Sequence, residues 1–171
     1  MTSRKICLRF RSIRFAVGAV TPSPLAAPRL SYWHLWTDSE GISHQTLCTF
    51  KAFTSAPLNP QVAAQWSASL IDDGNSFLTS LPVGWLGEWH ENRVPKWIFV
   101  LSGAWFVESM DGERHIFGPG AFSFGGDQGC RRLEDGRWGH LSGQVGDQPC
   151  LQLIIQRNDD AWSRAQPGAF S

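Results

Sequence analysis

PVGWLGEWHENRVPKWIFVLSGAWF at residues 82–106 and DGERHIFGPGAFSF at 111–124 decide the fold. Within them, Trp85 to Glu91 and Trp97 to Glu108 read as strands, the second with Ser102-Gly103 at its centre. Asp111-Gly112 between apolar runs is a hairpin signal. His115 to Phe117, the Gly-Pro-Gly turn at 118–120 and Ala121 to Phe124 continue the alternation of short strand and glycine turn. Such spacing predicts an all-β antiparallel sandwich or small barrel. Working outward, Ser76 to Leu81 and Cys150 to Gln156 add strands, and Leu30 to Phe53 reads as a hairpin turning at Asp38–Gly41. Gly125 to Gly139 reads as a polar loop, its glycine-rich start a mobile rim. PQVAAQWSASL at 60–70, with Asn59 as cap and Pro60 in the first turn, is the helix candidate, so at most one or two short helices are expected.

A chain of 171 residues makes one domain the default. Lys+Arg and Asp+Glu both total 15, a neutrality that argues against nucleic-acid partners. It conceals an asymmetry: residues 1–37 carry six basic residues and no acidic one. Residues 1–28, which include the linker TPSPLAAP, therefore read as a presequence, as a basic first strand with a linker, or as a mis-assigned start. A β-domain is expected over 29–158 and a tail over 159–171, with Trp162 packing back. No stretch approaches the roughly 18 apolar residues of a membrane span, so a cytoplasmic location is expected, or a mitochondrial one if the presequence reading holds. Cys7, Cys48, Cys130 and Cys150 lie too far apart for a zinc motif and read as free thiols.

The stretch from Pro82 to Gln156 resembles the cupin superfamily, whose two motifs are G-x5-HxH-x3,4-E-x6-G and G-x5-PxG-x2-H-x3-N. Five residues separate Gly84 from His90, Gly103 fits the closing glycine, and Gly120 opens the second motif. The resemblance implies a single jelly-roll β-barrel of the RmlC-like, conserved-barrel kind. The departures are specific. The second histidine falls on Asn92, the glutamate on Trp97, and the Pro-x-Gly on Gly125–Asp127 without its proline. His140 is the candidate for the second motif's histidine, and Gln144 stands where asparagine is usual. Cupin barrels often pair, so a homodimer is a further expectation.

Strand alternation puts Leu86, Glu88, His90 and Asn92 on one face. If that face is the lumen, burial moves a Glu pKa up and a His pKa down, toward proton-transfer chemistry at neutral pH. His90 with Glu88 or His140 is the catalytic set expected. Trp97, Phe99, Asn92, Trp105 and Phe124 are expected to bind a hydrophobic or aromatic small molecule. Three functions stay open: a metal-independent isomerase, lyase or cyclase; an oxygenase holding one divalent ion (iron, manganese, nickel or zinc) with His90, His140 and Glu88; and a barrel that only binds. His34, His44 and His115 read as solvated strand positions.

Overall fold

The computed structural model describes residues 26–70, 73–158 and 160–171. The presequence and first-strand readings of residues 1–25 lie outside them. Eleven strands follow in order: β1 (Leu30–Thr37), β2 (Ser43–Phe50), β3 (Thr54–Ala56), β4 (Gln65–Ser67), β5 (Gly74–Leu81), β6 (Lys96–Ser102), β7 (Ala104–Ser109), β8 (Arg114–Phe117), β9 (Phe122–Gly126), β10 (His140–Val145) and β11 (Cys150–Arg157). The fold is all-β. A six-stranded sheet has the order β2-β1-β9-β6-β11-β5, antiparallel except where β1 lies parallel to β9. An antiparallel three-stranded sheet has the order β10-β7-β8, and β3 and β4 pair separately. Among the described residues the edges of the two sheets are not joined into a closed barrel.

Alternation gives the six-stranded sheet two different apolar faces. Leu35, Leu81, Ile98, Val100, Cys150 and Ile154 point one way, to meet Trp105, Val107 and Phe117 from the smaller sheet. Tyr32, Phe50, Trp97, Phe122 and Phe124 point the other way and are covered by Phe170 of the tail, with Phe53, Leu70 and Trp162 around them. The tail is anchored by hydrogen bonds from Lys51 N to Phe170 O (3.1 Å) and from His34 Nε2 to Ala165 O (2.8 Å). His34 is therefore a buried core residue rather than a solvated one.

Four sequence expectations need correction. No helix forms at 60–70 or elsewhere among the described residues. Asn59 instead accepts from Gln61 N (3.0 Å) in an Asx-type turn, and the segment ends in β4. The predicted strand over Trp97 to Glu108 is two strands in different sheets. The chain crosses at Gly103 (φ +69°), where a side chain would collide with the Pro149 backbone. The polar loop after Phe124 begins later than expected: β9 runs to Gly126, and Asp127 and Gln128 are buried, so 125–128 is no mobile rim.

Trp85 to Glu91, finally, is not a continuous strand. It touches β10 through two isolated bridges, Leu86 with Gly143 and His90 with His140. Three residues separate the bridged positions on one side and two on the other, which is a one-residue bulge. The bulge reverses the side-chain parity. Leu86 follows Gly143 outward and is 63% exposed, whereas His90 shares the face of His140. Leu86, Glu88 and His90 thus do not form the single inward face that plain alternation predicts.

No helix among the described residues is long and apolar enough to cross a membrane.

Candidate functional site

Between the two sheets lies an open cleft of about 320 Å³. The six-stranded sheet contributes Lys96, Ile98, Gln152 and Ile154. The smaller sheet contributes Trp105, His140 and Ser142, and the bulged segment adds Trp85, Glu88 and His90. The cleft has apolar walls with titratable groups gathered at one end, the usual composition of a small-molecule site.

That end is built around Asp127, which follows β9 directly and is fully buried. Its Oδ2 meets His140 Nδ1 at 2.7 Å. Its Oδ1 accepts from Asn92 Nδ2 at 2.7 Å and from Asn92 N at 3.2 Å. Burial pushes the carboxyl pKa up, but the charge and hydrogen bond of His140, together with the two Asn92 donors, outweigh it and hold Asp127 below its ordinary range. An ionised Asp127 can only accept, so His140 Nδ1 carries the proton, and in the neutral ring the lone pair is on Nε2.

His90 is oriented the same way by different means. Its Nδ1 lies 2.7 Å from Glu88 O, and a carbonyl also only accepts, so Nδ1 donates and Nε2 is again bare. The two imidazoles sit with ring centroids 4.4 Å apart. Their backbones exchange hydrogen bonds of 3.0 and 2.8 Å. Gly139 (φ +75°) permits this approach, because a side chain there would overlap the His90 carbonyl. Burial of the ring, then the charge of His140, pulls the His90 pKa down, although the residue as a whole is exposed at the cleft rim rather than enclosed in a lumen.

The sequence-predicted residues divide by face. His90, His140, Asn92, Glu88 and Trp105 border the cleft. Glu88 is exposed at its edge, and its backbone carbonyl rather than its carboxylate contacts His90. Trp97, Phe99 and Phe124 instead belong to the opposite face of the sheet, packed with Tyr32, Phe122 and Phe170. The β6 register decides this: Lys96 and Ile98 face the cleft, so Trp97 and Phe99 must face away.

Sequence reasoning missed two residues that matter here. Asp127 carried one signal, a lone carboxylate directly after a buried apolar strand and two glycines. Lys96 carried a signal that the alignment on Trp97 overlooks: six residues stand between it and Gly103, so the first motif's spacing puts the glutamate position at Lys96. Burial lowers its pKa, against the raising effect of Asp127.

Two imidazoles, each presenting a bare Nε2 and each oriented through Nδ1, are the first half of a metal site. The second half is missing. Among the described residues no group of three or more His, Cys, Asp or Glu is placed to hold an ion. The donor set does not fit the divalent ion that the oxygenase alternative requires.

No family model matches the chain, and no curated protein matches it. Among solved structures, the crystal structure of protein NMB1881 from Neisseria meningitidis is similar at 16% identity over 48% of this chain and 72% of that one, with a TM-score of 0.34. A likeness that slight carries no argument about fold or activity.

Proposed function

We propose that this chain is an opened cupin-type jelly roll acting as a metal-independent enzyme, which moves protons on a small molecule held between its sheets. The order of strand, Asp-Gly turn, strand, Gly-Pro-Gly turn and strand supports the fold reading, as does a cleft between two sheets that holds both histidines. One observation carries the chemistry: the buried Asp127–His140 pair, with Nδ1 committed to the carboxylate and Nε2 left as a base at the cleft wall.

In this reading His140 Nε2 removes a proton from substrate, and the imidazolium so formed is stabilised by Asp127. His90, kept neutral by burial and by the growing charge on its neighbour, is the second proton carrier. Asn92, at the border of the cleft, is a positioning residue, since its amide and its backbone N–H fix the Asp127 carboxylate. Ile98, Ile154 and the tryptophan rings limit water around the reacting centre.

The test needs no prior substrate. A panel of small aromatic and aliphatic carbonyl compounds is incubated with enzyme in D2O, and deuterium wash-in at carbon is read by mass spectrometry. Wild type should exchange at least one class, and His140→Asn should lose about 10²–10⁴-fold of the rate. Wash-in by the variant equal to that of wild type, or none by either across the panel, overturns the proposal. The binding-only barrel is the reading that would then remain.

A further inference from the structure

The cleft has two polar ends with an apolar middle, and the register sets their separation. On the facing strands Lys96 pairs with Gln156, Ile98 with Ile154 and Val100 with Gln152. Lys96 and Gln152 are therefore four residues apart along the strands, about 13 Å at ~3.3 Å per residue. In the smaller sheet His140 pairs with Ser109 and Trp105 with Gln144, which again places the histidine and the indole four residues apart. The histidines and Lys96 occupy one end, Trp105 and Gln152 the other, and Ile98 with Ile154 the floor between them.

Each end lacks a partner of definite chemistry. Lys96 makes no ion pair among the described residues. Asp127, the carboxylate that acts on it, already uses both oxygens on His140 and Asn92. Glu91 in the adjoining groove accepts from Gly129 N and Cys130 N, and Glu88 lies exposed at the rim. At the far end, Trp105 Nε1 and Gln152 Nε2 are buried and have no oxygen or nitrogen acceptor among the described residues, the Gln152 amide having only the Cys150 thiol beside it; Trp97 Nε1, on the opposite face, is unpaired too. Trp105 and Gln152 are 5% and 3% exposed. Unpaired buried donors are rare in folded proteins, because each costs its full desolvation. All three groups, an ammonium, an indole N–H and an amide N–H, can only donate.

We propose that the cleft takes an elongated carboxylate, its anionic group at Lys96 beside the histidines and a second oxygen acceptor at Trp105 and Gln152, with an apolar body along Ile98 and Ile154. The inference rests on the cleft being the working site, and it names the class of molecule that would fill it. It also assigns Lys96 and Trp105 as specificity-determining residues at opposite ends.

Three probes of one shape test both ends: 3-(4-hydroxyphenyl)propionate, 3-phenylpropionate without the far oxygen, and 3-(4-hydroxyphenyl)propan-1-ol without the charge. Affinities for the full chain are measured by calorimetry. The first probe should bind tightest, with each deletion costing about tenfold. Lys96→Met should abolish the preference for acid over alcohol and leave the preference for the far hydroxyl. Trp105→Phe should do the reverse, and Glu88→Gln should tighten both acids. Equal binding of acid and alcohol by wild type overturns the proposal, even if neither variant folds, and so does a Lys96→Met variant that keeps the preference. Binding is read without turnover, so the two readings can fail separately. Selective acid binding with no deuterium wash-in sinks only the proton-transfer chemistry; wash-in with no acid preference sinks only this assignment.

Discussion

The two faces of the six-stranded sheet solve opposite problems with the same strands. The outer face is an aromatic layer in which Tyr32, Trp97, Phe122, Phe124 and Phe170 cover one another, ring centroids 4.7 to 6.3 Å apart. It is closed by the tail. The inner face leaves a cleft and keeps an ionised carboxylate under a histidine; buried donors without acceptors occur on both faces, Trp97 Nε1 in the aromatic layer and Trp105 Nε1 with Gln152 Nε2 at the cleft. The difference teaches where stability and chemistry reside. Aromatic burial on one side holds the sheet rigid, which lets the other side keep polar groups that would cost free energy if left empty.

Breaking the outer layer should give the largest effect on folding. Trp97→Ala removes a fully buried indole and should destabilise by about 3–5 kcal/mol in urea unfolding. The His140 tautomer, read by imidazole nitrogen NMR, should stay as in wild type. Asp127→Asn makes the converse change and should cost less, about 1–3 kcal/mol. It should move the proton at His140 away from Nδ1 while the aromatic layer keeps its near-UV circular dichroism.

Acid sharpens the comparison, because each face answers to its own histidine. Burial lowers the His34 pKa to about 4, against a bonding effect from Ala165 that raises it. A released His34 titrates near 6.5, so its contribution is full above that pH and is lost as pH falls toward 4. Hydrogen exchange of residues 165–171, corrected for intrinsic pH dependence, should accelerate over that window. His34→Gln should flatten the response.

The smallest effect belongs at the sheet edge, where His44 bridges Asp38 at 2.9 Å and Asp111 at 2.7 Å. Burial pulls its pKa down, but the two carboxylates outweigh it and the net value is raised. The stabilisation is thus full below about pH 6.5 and lost as pH rises through the folded value. Both carboxyl groups are held low, so the clamp also fails in strong acid. The melting-temperature difference between wild type and His44→Gln should peak in mild acid and shrink toward pH 8.

Much of the strand pattern was legible, since alternation and glycine turns are local properties of the chain. The Asp111-Gly112 hairpin and the Gly-Pro-Gly turn stand where the sequence puts them. What alternation cannot supply is the identity of the face. Trp97 and Ile98 are equally apolar and equally suited to a wall, and only pairing with β9 and β11 decides which one meets the cleft. The strand β10 was hidden because His140–Val145 holds three polar residues and a glycine, and its partners lie far away in sequence. Asp127 was passed over for the same reason: its meaning comes from His140 and Asn92, which approach it only in the folded chain.

The unequal spacing between the bridges at Leu86 and His90 has a bearing on how this molecule could diversify. Both ends of that span are fastened to the same neighbouring strand, and within it the Glu88 carbonyl holds His90 Nδ1. A residue gained or lost beside Trp89 would have to return a carbonyl to that imidazole. The mouth of the cleft can thus be recut for a new ligand through its side chains, while the backbone of the bulge stays as it is.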